Sequence, residues 1–278
     1  MSKDIMSLLG RNSRTAGKIA KPSSSRPFSV SSTTSSLLDK STNVMNPIRK
    51  RSSSQKDFSS RWKIVGNHLI CNLPENTEFL RNYHSVSNSK SIKVAAFDLD
   101  GTLIDTKSGQ RFARTADDWR FWSPDSKTES KVLEKLADLI KEKYLIVVFT
   151  NQGGVIANIA NKSYNNFVQR VNSVAAKLSD FINGNETELL VFASPKKPGG
   201  KAVLVSTDEQ FKSMRKPESG MWTELTQFLQ KSSGLDVDIH NSIYVGDAAG
   251  RVKDFSDSDA MFAKNINCTF KTPEEFFG

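Results

Sequence analysis

Residues 93–106 read KVAAFDLDGTLIDT, and the rest of the chain is interpreted from this stretch. Val94, Ala95, Ala96 and Phe97 make a short apolar run of the kind that fills a buried strand of a parallel sheet. The run stops abruptly at Asp98, Asp100 and Gly101. Ionised carboxylates at the end of a buried strand are costly unless they are paired or bound to metal. Either the two acids have a chemical task, or they form an acidic turn that merely ends the strand.

C-terminal to this stretch, helical and strand-like patterns alternate. Val132, Leu133, Leu136, Leu139 and Ile140 recur at helical spacing and predict an amphipathic helix over about 128–143. Residues 145–149 are the next buried strand. A helix over 163–182 follows, with Phe167, Val171, Val174, Ala175 and Leu178 as its stripe, and then a strand over 189–193. A helix near 222–231, a strand over 242–245, a helix from about Ser258 and a short turn opened by Pro273 complete the pattern. Such alternation predicts an α/β domain with a parallel sheet. Polar groups stand at four separate element ends: Asp98 with Asp100, Thr150, Lys216, and Asp247. In open α/β sheets ligands bind beyond the carboxyl ends of the strands, so these residues are expected to converge.

The N-terminal third is different. Residues 1–90 hold fifteen Lys and Arg against five Asp and Glu, whereas residues 91–278 hold 24 against 25. Residues 1–60 are rich in Ser, Thr, Lys and Arg with almost no apolar periodicity, and are expected to be a disordered tail. Arg49-Lys50-Arg51 suits a nuclear-import patch or a phosphate-backbone contact, the acid-poor first forty residues resemble a mitochondrial presequence, and a plain solvated tail is the third reading. Residues 61–90 are expected to be a short strand-like segment and linker, with Trp62 to Ile70 as a strand or hairpin that suits packing on the main domain better than contact with nucleic acid, and 91–278 the main domain. Two cysteines, Cys71 and Cys268, are too few for a disulfide framework or zinc cluster and suit a reducing compartment. No run reaches the roughly 18 apolar residues that span a membrane, so a soluble protein is expected. Gly10 and Gly17-Lys18 lack the spacing of a phosphate-binding kinase loop.

Phe97-Asp98-Leu99-Asp100-Gly101-Thr102, Phe149-Thr150-Asn151-Gln152, Arg215-Lys216-Pro217 and Val245-Gly246-Asp247 resemble, in order, the four motifs of haloacid-dehalogenase-type phosphohydrolases. Over about 93–277 the chain resembles more closely the 3′-phosphatase domain of polynucleotide kinase/phosphatase. Ser219-Gly220-Met221-Trp222, Gly246 to Arg251, Lys253 to Ser256, Asp118-Trp119 and the ending Thr272 to Phe277 carry that resemblance. It implies a three-layer Rossmann-like parallel sheet without a large cap domain. It also implies the phosphatase-only fungal form, without 5′-kinase activity.

Carried over by position, the resemblance makes Asp98 the nucleophile that forms an aspartyl-phosphate and Asp100 the general acid and base. Mg²⁺ would be held by the Asp98 carboxylate, the Asp100 carbonyl and the Asp247 carboxylate. Lys216 would offset further charge, while the Thr150 hydroxyl and backbone N–H groups around Asn151 hold the phosphoryl group. Asp254 or Asp259 would stand behind the metal or cap the helix near Ser258, with Asp254 preferred.

The implied substrate is DNA ending in a 3′-phosphate at nicks, gaps and breaks, converted to a 3′-hydroxyl in DNA repair. Thr102, Asn151, Arg111, Lys162, Arg215 and Arg251 are the expected substrate contacts, with Arg114, Lys196, Lys197 and Lys201 as further candidates. Trp119 and Trp122 could stack on a base, although packing suits Trp119 better. The loop over 194–213 departs from the family pattern and suits either a DNA-facing flap or a disordered insertion. A nuclear monomer is expected, with a mitochondrial pool and repair-protein contacts through the tail as further expectations. The alternatives are the same chemistry on a small phosphoester or phosphoprotein, and a non-catalytic DNA-end adaptor.

Overall fold

The computed structural model describes residues 58–83, 90–125, 128–182, 189–199 and 205–278. Most of the expected tail, all but Lys90 of the expected linker over 85–90, and Lys201 lie outside the described residues.

The described elements run in the order β1 (Trp62–Val65), β2 (Leu69–Asn72), β3 (Ser91–Phe97), β4 (Ile104–Asp105), β5 (Arg120–Phe121), α1 (Val132–Lys141), β6 (Tyr144–Gln152), α2 (Lys162–Phe181) and β7 (Leu189–Pro195). Then come α3 (Asp208–Met214), α4 (Gly220–Ser233), β8 (Asp236–Val237), β9 (Ile243–Val245), α5 (Ser258–Asn265), β10 (Thr269–Lys271) and α6 (Pro273–Phe277). The central sheet has the order β1-β2-β7-β6-β3-β9-β10, with β8 pairing the start of β3. Strands β7, β6, β3, β9 and β10 are mutually parallel.

Alternation along β3 sets the layers. Ala95 and Phe97 face a core shared with Val132 and Leu136 of α1, Phe167 and Val171 of α2, and Phe277 of α6. Val94 and Ala96 face the opposite core, built with Met221 and Leu225 of α4 and Phe262 of α5. The result is a three-layer α/β sandwich in which β3 has buried side chains on both sides. Its chain order changes direction at β3, between β6 and β9, which opens a crevice at the carboxyl ends there.

Local chemistry explains several boundaries. The Thr207 hydroxyl and Gln210 side chain form a capping box on α3, Thr272 and Glu275 form another on α6, and Gly234 ends α4 at a φ of 66°. Helix α1 is shorter than the sequence predicts. The Ser130 hydroxyl donates to the Trp122 carbonyl and accepts from the Val132 N–H, which ties the expected first turn to the preceding segment instead.

Of the two local forms expected over 62–70, the structure has the hairpin. β1 and β2 form a hairpin that extends the central sheet, with Ile70, Cys71 and Asn72 opposite Ala193, Phe192 and Val191 of β7. Leu80 and Tyr83, in the following 3-10 turn, are buried in the α4 and α5 core. Four residues per strand are too short a pattern to announce membership of a sheet whose partner lies over a hundred residues away.

Between β3 and α1 the described chain contains only the two-residue strands β4 and β5, which pair with each other. No cap domain occurs among these residues, as the resemblance implies, and the crevice is left open.

Candidate active site

The acids at the end of β3 are placed by a tight turn. Asp98 N–H donates to the Val245 carbonyl of the neighbouring strand at 2.9 Å, which fixes it beside the end of β9. Gly101 then adopts a φ of +79°, and a Cβ at that position would lie 2.7 Å from Asp247 Oδ2. Only glycine allows both the left-handed turn and the approach of Asp247.

Thr150, Asn151 and Gln152 end β6, and their side chains alternate between two tasks. The Asn151 carboxamide faces the loop after α3, where its Nδ2 donates to the Lys216 carbonyl and its Oδ1 accepts from the Lys216 N–H, both at 3.0 Å. Gln152 Nε2 donates to Asp100 Oδ2 at 2.7 Å and to Thr150 Oγ1 at 2.9 Å.

Lys216 is the hub of the site. It is 4% exposed, and its three ammonium donors go to Asp98 Oδ1 at 2.8 Å, Asp259 Oδ1 at 2.7 Å and the Tyr244 hydroxyl at 2.9 Å. Tyr244 in turn donates to Asp259 Oδ1 at 2.8 Å, and Asp259 Oδ2 accepts from the Ala248 N–H at 3.0 Å. Burial works against the Lys216 charge, but Asp259 and Asp98 outweigh it and hold the ammonium above its ordinary range. Burial pushes the Asp98 carboxyl up, and Asp259 and Asp247 add to that while Lys216 opposes it. Asp247 is raised by burial and then by Asp259. Three carboxylates face one ammonium, so the cluster lacks positive charge.

A metal fits this cluster. One carboxylate oxygen each from Asp98, Asp247 and Asp259 lie within 4.8 Å of one another, and Asp247 Oδ1 is buried without a hydrogen-bond partner among the described residues. Carboxylate oxygens are the donors that a hard divalent cation such as Mg²⁺ prefers.

Several expected site residues have other roles. Asp254, preferred from sequence, accepts from Arg251 Nε and from the Ala249 and Arg251 N–H groups, and so shapes the loop after Asp247; Asp259 is the third acid of the cluster. Arg251 also donates to Glu274 Oε2 at 3.0 Å and to the Asp247 carbonyl at 3.1 Å, so each of its three nitrogens braces the loop. Thr102 has no exposure and cannot touch DNA. Trp122 is buried 5.9 Å from the Phe277 ring and cannot offer a face to a base, while Trp119 packs edge-on to Phe121.

The remaining basic candidates stay at the surface. Arg111 lies 4.3 Å from the Phe255 ring centre and 5.2 Å from that of Phe112. Lys162 is exposed at the first residue of α2. Exposed Arg215 reaches over Gly153, where an added Cβ would meet its Nη2 at 3.2 Å. Lys197 pairs with Asp208. The expected loop over 194–213 is shorter than its sequence suggests, since Ser194 and Pro195 belong to β7 and residues 208–213 to α3; just before α3 the chain is anchored on the β1–β2 turn, where Asn67 Oδ1 accepts from the Val205 N–H and the Ser206 hydroxyl bonds His68 Nδ1.

Sequence reasoning missed Gln152 and Tyr244 as site residues. For Gln152 the signal was present: it stands two residues from Thr150 on a strand, and therefore on the same face.

A three-layer sheet with an aspartate pair after one strand, a threonine after the next, a buried lysine and a further acid pair defines the haloacid-dehalogenase type of phosphatase. The chain belongs to the polynucleotide kinase 3 phosphatase family, whose model matches residues 93–277. It is 31% identical over 237 residues to a bifunctional polynucleotide phosphatase/kinase of Schizosaccharomyces pombe, covering 82% of this chain and 49% of that protein. It thus spans about half the length of that relative. It is 34% identical over 212 residues to a polynucleotide 3′-phosphatase of Saccharomyces cerevisiae, covering 67% of this chain and 87% of the relative. A solved HAD-like phosphatase from Mesorhizobium loti is 21% identical, with a TM-score of 0.45, covering 73% of this chain and 77% of that one.

Proposed function

We propose that this protein is a Mg²⁺-dependent DNA 3′-phosphatase that restores 3′-hydroxyl ends in repair. The observation that carries the reading is the Asp98, Lys216, Asp259 and Asp247 cluster at the open end of the sheet, in a chain of this family. Relatives named as polynucleotide 3′-phosphatases support the substrate class.

Asp98 is the nucleophile. Its carboxylate oxygen forms a bond to phosphorus as the bond to the deoxyribose 3′-oxygen breaks, and Asp100 gives a proton to that oxygen. The products of this half are a 3′-hydroxyl and an acyl phosphate on Asp98. Asp100, now ionised, takes a proton from water as the water oxygen bonds phosphorus and the acyl phosphate breaks, which frees inorganic phosphate and restores both acids. Lys216 holds Asp98 in line through their 2.8 Å contact, and the Thr150 hydroxyl grips a phosphoryl oxygen. Mg²⁺, held by the Asp98 and Asp247 carboxylates with the Asp100 carbonyl, would supply positive charge for the phosphoryl oxygens.

An uncapped crevice suits a polymer end, and Arg215, Lys162 and Arg111 stand exposed to meet its backbone. A role at damaged ends also fits nuclear residence and use of the basic patch at 49–51. The test is release of phosphate from a 3′-phosphorylated oligonucleotide with and without Mg²⁺. Turnover that requires Mg²⁺ and disappears in Asp98→Asn is expected; preference for sugar phosphates or phosphopeptides would overturn the substrate reading.

A further inference from the structure

The geometry points to Gln152 as the residue that positions the general acid and base Asp100, an inference that rests on the phosphatase reading above. Gln152 is 6% exposed at the end of β6, and its Nε2 stands 2.7 Å from Asp100 Oδ2 and 2.9 Å from Thr150 Oγ1. A carboxamide nitrogen carries two hydrogens and no acceptor, so both contacts are donations from Gln152. Once Asp100 has given up its proton, a turned-over amide would set its oxygen lone pairs against those of the carboxylate, so the orientation with Nε2 toward Asp100 is the one that serves both halves of the reaction.

Two consequences follow for the reacting atoms. Asp100 Oδ2 is occupied by the Gln152 N–H, so the proton exchanged with the leaving oxygen and then with water resides on Oδ1. Thr150 Oγ1 accepts from Gln152, so its own hydrogen is left to donate to a phosphoryl oxygen. One side chain therefore sets the direction of the proton donor and of the hydroxyl that grips the phosphoryl group. Asp100 itself is only half-buried and follows a turn, so without this contact its carboxylate is free to rotate about χ1 and χ2.

The role is separable from general structural support because proton donation matters only for a poor leaving group. A deoxyribose 3′-oxygen leaves badly without a proton, whereas 4-nitrophenolate leaves readily. kcat/KM reports only the steps through departure of the leaving group, so the later use of Asp100 as a base does not enter. In Gln152→Met, which keeps length and removes both donors, kcat/KM on a 3′-phosphorylated oligonucleotide is expected to fall at least tenfold more than kcat/KM on 4-nitrophenyl phosphate. Complete loss of acid help corresponds to about 10² to 10⁴. Both substrates are assayed on one preparation, so any unfolded fraction cancels in the ratio.

Gln152→Leu, also without the donors, should shift the ratio in the same direction. Equal losses on the two esters in both variants would overturn the assignment and leave Gln152 a packing residue. If the parent hydrolyses sugar phosphates but not the oligonucleotide, the substrate reading fails, and the sugar phosphate then serves as the alkyl ester in the same ratio. Parent protein inactive on every alkyl phosphate would overturn both.

Discussion

The Asn151 carboxamide meets both backbone groups of Lys216, donating to its carbonyl and accepting from its N–H at 3.0 Å each. A side chain on β6 thereby acts as a strand partner for a loop 65 residues away, and fixes the origin of the lysine that reaches Asp98.

Asn151→Ala should lose both hydrogen bonds, at a cost of about 1 to 3 kcal/mol. The larger effect is expected on turnover, because small misplacements of a catalytic group cost up to about 10²-fold. Urea unfolding and kcat on the same preparation check this: a loss of stability without a loss of kcat would show that Lys216 is placed by its ion pairs alone.

Metal binding should be visible without turnover. A ligand at about 100 times its Kd stabilises the folded state by roughly 2.7 kcal/mol, a melting shift of about 5 to 10 °C for a domain of this size. Mg²⁺ is expected to give such a shift in the parent protein and not in Asp247→Asn. Burial and Asp259 disfavour the ionised Asp247 carboxylate, so the neutral variant should melt no lower than the parent in the absence of metal. Differential scanning fluorimetry with and without Mg²⁺ tests both statements.

Two of the arginines expected to contact DNA, Arg215 and Arg251, should separate in a salt titration. Each phosphate neutralised contributes a slope of about 0.7 to 0.9 in log affinity against log salt. Arg215→Ala should lower the slope by about one such increment. Arg251→Ala should leave the slope unchanged and weaken Mg²⁺ binding instead, because Arg251 braces the Asp247 carbonyl, Asp254 and Glu274.

Both thiols should be inert in the native protein. Burial pushes Cys71 from 9.0 up to about 11 and Cys268 up to about 12. With folded values above unfolded ones, the stability these thiols contribute is complete below about pH 9 and is lost as pH rises toward 11 to 12. Thiol reagents at pH 8 should label neither cysteine until denaturant is added. The urea midpoint should fall between pH 8 and pH 10.5, and fall less in Cys268→Ala.

Much of the site was legible because Asp98, Thr150 and Asp247 each follow an apolar run that must be a buried strand. Such positions converge in any parallel sheet, and the motif order did the rest. Asp259 against Asp254 was not legible: both lie at spacings that suit a helix cap, and only folding shows which carboxylate reaches Lys216. Arg251 carries the charge of a DNA contact, but all three of its nitrogens are engaged by neighbours that the sequence places up to 23 residues away. Tyr244 looks like any aromatic inside a strand until its hydroxyl is seen between Lys216 and Asp259. The layers of the fold were readable from the periodicity, and so was a hairpin as one local form of 62–70. The pairing of that hairpin with β7 was not, since β7 comes so much later in the chain.

That hairpin has a practical meaning for anyone who trims the protein. The segment shared with the family begins at residue 93, and cutting there would strip β2 from β7. A row of backbone donors and acceptors on β7 would then face water beside the apolar Val191 and Phe192, the pattern of an open edge that recruits a second chain. A shortened protein begun at 93 should therefore aggregate where one begun near residue 58 stays monodisperse, although both would carry every residue of the catalytic cluster.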